Sequence, residues 1–600
     1  MSDETPNLDG QEPEFSSDFS SDQVERELSV AAAKAEAEAA RRRAQQAAAA
    51  AQQATGENLT IKTASGWVHG RMEEVDGKHV RSWRGVPFGA DTSGPNRFRA
   101  PQPVQPWEGI RYCNEFGPVA PQPTYSWHDR IIGSEDCLHL DIVRPDTDEQ
   151  LPVVVYFHGG SFIVGSSHML MLRGFSLAEA INVVYVSINF RLGALGYLDL
   201  RSLSDDCVAN PAVMDQLLAL QWVQDNIAAF GGDPDSVTAM GESAGGAAVL
   251  TLMASPAARG LFHRAIAQSS PIGLIHSRTQ STWWARQLVN RMALPRGSTV
   301  EALRAHDGAD IVRAGQSMMW RNGEIMHLNS SYAPTVDGDL LPEHPLEVFK
   351  QGKQMDIPLL IGSNSDEASF SKFVFQREQV RQRAALRLLA SFDEKNAPGV
   401  VEAYGGASNR ADFAELLADA LFWAPSVRIA QSHALKNSTW MYRFDYASKA
   451  LKALGLGAMH SMELSNVFGD MSASRASLLL RIGSGDEMAN LTALMQSHWA
   501  NFIHFGRPGD DWPIYTTTAS EVKHRKTQPK PATPADMPKR EREKPPVHRA
   551  TMVFDAPPSV VLDPRRERRK AWNDYNMLEW GAGRADILAE IEFLLESFGP

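Results

Sequence analysis

Residues 237–250 read Val237-Thr-Ala-Met-Gly241-Glu-Ser243-Ala-Gly245-Gly-Ala-Ala-Val-Leu250, an apolar run broken by Gly-Glu-Ser-Ala-Gly and resumed at helical spacing. A strand that feeds directly into a helix through one residue forces that residue into a strained, exposed turn. Glycines two positions before and two after it let the flanking backbones pass. A serine at such a tip offers its hydroxyl outward, and the amide of Ala244, first in the helix, can face a developing anion. With glycine at about 7% of residues, roughly one serine in two hundred carries both glycines by accident. The surroundings must decide.

Those surroundings alternate. Val153–Phe157, Asn182–Ile188 and Ile357–Ile361 are near-continuous apolar runs, as strands covered on both faces require. Met214–Ala228, between them, lines up Leu217, Leu218, Leu220, Trp222 and Val223 on one side of a helix. Short strands are expected within Thr60–His69 and at Val80–Trp83, and later ones at Trp440–Tyr446 and Ala550–Phe554. Ala585–Phe598 reads as a closing amphipathic helix. This alternation predicts an α/β fold: a mostly parallel central sheet, helices on both faces and large loop insertions.

Composition narrows the function. The 600 residues carry 59 Lys+Arg against 72 Asp+Glu, and a net charge of −13 argues against general affinity for nucleic acid or anionic membrane. Cys113, Cys137 and Cys207 make neither a disulfide framework nor a Cys-x-x-Cys pair. No apolar run reaches the roughly 20 residues of a membrane span. The start, Met1-Ser-Asp-Glu-Thr, lacks the basic and apolar segments of a signal peptide, so a cytoplasmic location is expected. Residues 1–28 are acidic and expected to be disordered. Residues 29–56 are alanine-rich and expected to form a helical arm, suited to weak self-association or partner docking. Residues 57–600 form the main domain, and 518–548, dense in Pro, Lys and Arg, read as an extended basic loop inserted in it.

An activated serine needs a base within reach, an acid to orient that base, and donors for the oxyanion. Each stands after a candidate strand, where open α/β sheets place their sites. After Val153–Phe157 comes His158-Gly159-Gly160-Ser161-Phe162, a glycine-rich turn able to aim amides inward. After Ile357–Ile361 comes Gly362-Ser-Asn-Ser-Asp366-Glu367; on chemistry alone either carboxylate serves. After Trp440–Tyr446 comes Gly457-Ala-Met-His460-Ser-Met-Glu463. The order Ser, Asp/Glu, His is the one this topology imposes.

Together these motifs resemble the type B carboxylesterases, the α/β-hydrolase branch that includes cholinesterases and bacterial para-nitrobenzyl-type esterases. Further matching pieces are Arg84-Gly-Val-Pro-Phe-Gly89, Arg97-Phe-Arg-Ala-Pro101, Glu135-Asp-Cys-Leu-His-Leu-Asp141, Asn189-Phe-Arg-Leu-Gly193, Phe230-Gly-Gly-Asp-Pro234 and Trp499-Ala-Asn-Phe-Ile503. The resemblance implies a serine carboxylesterase working through a Ser-His-Glu triad and an acyl-enzyme, on a small-molecule ester, with no metal and no cofactor. By motif position Ser243 is the nucleophile, His460 the general acid/base and Glu367 the orienting carboxylate. The amides of Gly160, Ser161 and Ala244, with Gly159 preceding, would form the oxyanion hole, and Glu242 and Ser269 would support the hydrogen-bond network. Trp127, ten residues before Cys137, and Phe162 are expected along the pocket. In relatives the cysteine matching Cys137 usually pairs with one at the position of Ala120, so that disulfide is expected to be missing. The same triad also serves amide or carbamate hydrolysis, and adhesion relatives of cholinesterases use the fold as non-catalytic binding proteins.

Overall fold

The computed structural model describes residues 59–124, 130–294, 299–320, 330–373, 377–470, 485–517 and 548–578. The N-terminal arm, Trp127, nearly all of the basic loop and the helix expected at 585–598 lie outside the described residues. Eleven described strands make one sheet. In chain order they are β1 (Arg71–Val75), β2 (Lys78–Pro87), β3 (His139–Pro145), β4 (Leu151–Phe157), β5 (Val184–Ile188) and β6 (Gly232–Glu242). There follow β7 (Arg264–Gln268), β8 (Leu359–Asn364), β9 (Thr439–Phe444), β10 (Ala550–Phe554) and β11 (Ser559–Leu562). Their spatial order is β11-β10-β9-β8-β7-β6-β4-β5-β3-β2-β1.

From β10 to β5 every neighbouring pair is parallel. Antiparallel strands close both flanks. The expected strand region 60–69 is a hairpin, Thr60–Lys62 against Trp67–His69, because the chain turns where Thr63 donates its amide to Gly66. With Ile110–Tyr112 it forms a separate small sheet.

Alternation along each strand divides the core in two. Val153, Val155 and Phe157 of β4 pack with Leu220 and Val223 of helix α1 (Pro211–Asn226) and Leu250 of helix α2 (Ala244–Ala254). Val154 and Tyr156 point the other way, into a cluster with Trp499 and Phe502 of helix α3 (Gly485–Phe505). Every residue of α2 is buried. Burial of a large side chain such as Trp499 is worth about 3–5 kcal/mol against alanine. This covering of both faces explains why β4, β5 and β8 read as near-continuous apolar runs.

The connections fix where a site can form. From β4 the chain moves outward to β5, then returns to place β6 on β4's other side. Phe157, at the end of β4, is registered against Gly241 near the end of β6. The loops leaving these two strand ends depart in opposite directions and open a crevice between them, the switch point of an open α/β sheet.

Candidate active site

Ser243 occupies the single residue between β6 and α2, with φ 58° and ψ −124°. A non-glycine residue in such a region stores on the order of 1–3 kcal/mol of strain and stays only if its surroundings hold it. They do. The Ser243 amide donates to the carbonyl of Gln268 at 2.9 Å, and the Ser243 carbonyl accepts from Ala247 at 2.9 Å. Behind the turn, a Cβ on Gly245 would sit 1.9 Å from the carbonyl oxygen of Phe157, so only glycine lets α2 approach β4 this closely.

The turn after β4 wraps the same serine. A Cβ on Gly159 would lie 3.1 Å from the Cβ of Ser243. Gly160, Ser161 and Phe162 all have positive φ (120°, 55° and 64°), and the Gly160 carbonyl accepts from Ile163 and Val164. Among the described residues, the amides of Gly160, Ser161 and Ala244 donate to no loop or turn acceptor. His158 lies beneath, stacked on Phe190 at 4.4 Å, and burial pushes its pKa down to about 4, which keeps the ring neutral. Phe162 is buried against Tyr197 at 4.8 Å and underpins the turn from the core side.

The acid and the histidine arrive on β8 and β9, which are parallel neighbours. Glu367 is buried; its Oε1 accepts the Asn364 amide at 2.7 Å and its Oε2 meets His460 Nδ1 at 2.5 Å. The other ring nitrogen, Nε2, is 2.9 Å from Ser243 Oγ. Asp366 turns away to the histidine loop, where its carboxylate accepts from the Ala458 amide at 3.3 Å and its own amide donates to the Ala458 carbonyl. Of the two carboxylates that chemistry left open, Glu367 reaches the imidazole.

A family model described as the carboxylesterase family matches residues 57–544. The chain belongs to the carboxylesterase family. It is 31% identical over 512 residues to a para-nitrobenzyl esterase of Bacillus subtilis (strain 168), covering 84% of this chain and 96% of the relative. It is also 31% identical over 518 residues to carboxylesterase 1D of Rattus norvegicus, covering 77% and 89%. A solved para-nitrobenzyl esterase structure superposes with a TM-score of 0.73 at 30% identity, over 86% of this chain and 99% of that one. The fold is the α/β-hydrolase fold, and the protein is a carboxylic ester hydrolase.

This carboxylesterase surrounds its histidine with more charge than the triad motifs suggest. Glu242 Oε1 accepts from Ser461 Oγ at 2.6 Å and lies 3.3 Å from His460 Nε2. Glu463 accepts from Asn364 Nδ2 at 2.6 Å and from Gln268 Nε2 at 3.2 Å. Burial, then the charges of Glu242 and Glu367, push the pKa of Glu463 up to about 8. Burial also raises Glu242, against the pull of His460. For His460 burial disfavours the imidazolium, but Glu242 and Glu367 together outweigh it and raise its pKa.

Ser269 stands apart from this network. Its amide donates to Gly362 at 2.8 Å, while its buried hydroxyl finds no partner among the described residues. Ser461 supplies the hydroxyl contact to Glu242 instead. Sequence reasoning missed Ser461, Glu463, Asn364 and Phe422, whose ring lies 4.6 Å from the imidazole. Glu463 had a signal, since it follows His460 by only three residues, across a turn in which Ser461 has φ 66°.

Cys113, Cys137 and Cys207 are free and buried, and burial pushes the Cys113 thiol up to about 12 and the Cys207 thiol to about 11, so neither is nucleophilic. Among the described residues there is no His/Cys/Asp/Glu group that could hold a metal ion. No described helix is long and apolar enough to cross a membrane.

Proposed function

We propose that this carboxylesterase hydrolyses small-molecule carboxylic esters through Ser243, His460 and Glu367, by way of an acyl-enzyme. The observation that carries the proposal is the single imidazole bonded at once to Ser243 Oγ and to the buried Glu367. Ser243 Oγ attacks the ester carbonyl carbon as its proton passes to His460 Nε2, and the carbonyl π pair moves onto oxygen. The amides of Gly160, Ser161 and Ala244 hold that oxyanion. As the pair returns, the C–O bond to the alcohol breaks and the leaving oxygen takes the proton from Nε2. Water then repeats the sequence: its proton goes to Nε2, the bond to Ser243 Oγ breaks, and the serine recovers its hydrogen. Glu367 fixes the tautomer through Nδ1 and offsets the imidazolium charge. Every proton and electron pair moves within these groups, and no step draws on a metal or organic cofactor.

The test uses p-nitrophenyl butyrate and a fluorophosphonate probe. The wild-type chain is expected to turn over the ester and to be labelled on the peptide containing Ser243. Near-normal turnover by Ser243→Ala, or a label elsewhere, would overturn the assignment. The three free thiols suit a reducing compartment, which supports the cytoplasm as location; cell fractionation checks it.

A further inference from the structure

We propose that Arg565 is a positioning residue for His460: by clamping the turn that carries Phe422 to the loop that carries Glu367, it holds the imidazole from two sides. The proposal rests on the triad reading above. Phe422 belongs to a π-helical turn, Asp419–Trp423, in which the amide of Ala424 donates to the carbonyl of Asp419 five residues back. A π turn is a single-turn bulge in an α-helix, rare in general and frequent at functional sites. Letting it relax to α pitch would rotate the side chains on one side of it by about 100° relative to the other. Phe422 would then leave the imidazole face, where its ring centroid now lies 4.6 Å from that of His460.

What holds the turn is a buried ion pair at its first residue. Asp419 Oδ1 accepts from Arg565 Nη1 at 2.5 Å, and Oδ2 accepts from the Tyr404 hydroxyl at 2.5 Å. The Asp419 side chain is 2% exposed and that of Arg565 is 12% exposed. The same guanidinium lies 3.1 Å from Glu415 and donates from Nη2 to the Ser365 carbonyl at 3.3 Å, two residues before Glu367. One side chain from outside the α/β core motifs therefore spans the π turn and the acid loop. Arg565 itself has φ 58° and ψ 36°, a backbone conformation costly for a side-chain-bearing residue. Removing it leaves the buried Asp419 carboxylate with only the Tyr404 hydroxyl and the Arg568 guanidinium, 3.9 Å away, to offset its charge, a deficit the turn relieves by moving.

The experiment is a double-mutant cycle on p-nitrophenyl butyrate. Arg565→Gln is expected to lower kcat about tenfold with KM within about twofold, as a displaced catalytic group does. Phe422→Leu should lower kcat similarly, and the double variant should be no slower than the slower single variant, because both act through one ring. Losses that multiply to about a hundredfold, an unchanged kcat in Arg565→Gln, or a loss confined to KM would each overturn the proposal. If Arg565→Gln does not fold, the cycle is run with Arg565→Lys, which keeps the charge but lacks the fork that reaches Asp419 and Ser365 together. Fluorophosphonate labelling of Ser243 in the wild-type chain separates failure of this clamp from failure of the triad reading.

Discussion

The two halves of the site are held by different physics. Ser243 and the turn after β4 sit at the ends of adjacent strands, and backbone geometry fixes them: a positive φ at Ser243, positive φ values at Gly160, Ser161 and Phe162, and a glycine at 245 where no Cβ fits. His460 and Glu367 come from loops 93 residues apart in sequence, and side-chain hydrogen bonds and buried charge fix them. Strain cannot be titrated, whereas charge can. Substitutions in the first half should therefore act at every pH, and those in the second should be graded and pH-dependent.

The largest effect belongs to the elbow. Ser243→Ala is expected to lower kcat by roughly 10⁶-fold, with no pH at which activity returns, measured by p-nitrophenyl ester turnover at substrate saturation. Glu367→Gln should cost about 10⁴-fold in kcat. It keeps the shape of the buried group but presents a donor to Nδ1 and removes the charge that balances the imidazolium. A loss as complete as that of Ser243→Ala would blur the distinction between the halves, and a loss under tenfold would move the orienting role elsewhere.

The same distinction explains what could be read from residues alone. The elbow and the glycine-rich turn were legible because backbone strain demands particular residues at fixed offsets, and glycine at 241, 245 and 160 leaves a local trace. The parallel strands were legible because burial on both faces leaves apolar runs. The choice between Asp366 and Glu367 was not local; it came only from the likeness to a known family, and the structure shows its cause in the pairing of Asp366 with the Ala458 backbone. Ser461 and Asn364 left no trace, since hydroxyls and amides become partners of a carboxylate only when β8, β9 and the elbow are brought together. Phe422 was hidden for a further reason: a π turn shifts helical phase by one residue, and periodicity misplaces whatever lies within it.

Glu242 joins the halves, being next to the elbow serine in sequence and 3.3 Å from His460 in space. In the proposed mechanism His460 must be neutral to accept the Ser243 proton. Its pKa is raised, so the active form is lost as pH falls through a value above the ordinary 6.5, and the acid limb of kcat/KM should lie above that pH. Glu242→Gln removes the largest of the charges that raise it. The limb should then move to lower pH, with kcat on the alkaline plateau reduced far less than in Glu367→Gln. An unmoved limb would mean that Glu242 carries its own proton across this range and acts through Ser461 alone.

The smallest effect tests the backbone half at its most permissive point. Ser161 stands in the turn after β4 at φ 55°, and its proposed contribution is an amide, not a hydroxyl. Ser161→Gly keeps that amide and suits the positive φ, so kcat should stay within about threefold of wild type, since loss of one oxyanion donor costs about 10²–10³-fold. The same change relaxes the conformational strain at this position while making the unfolded chain more flexible, two terms of similar size and opposite sign. A kcat loss near a hundredfold would show that the hydroxyl itself, or the rigidity of a residue with a side chain, holds the turn against Ser243. The serine half would then depend on side chains much as the histidine half does.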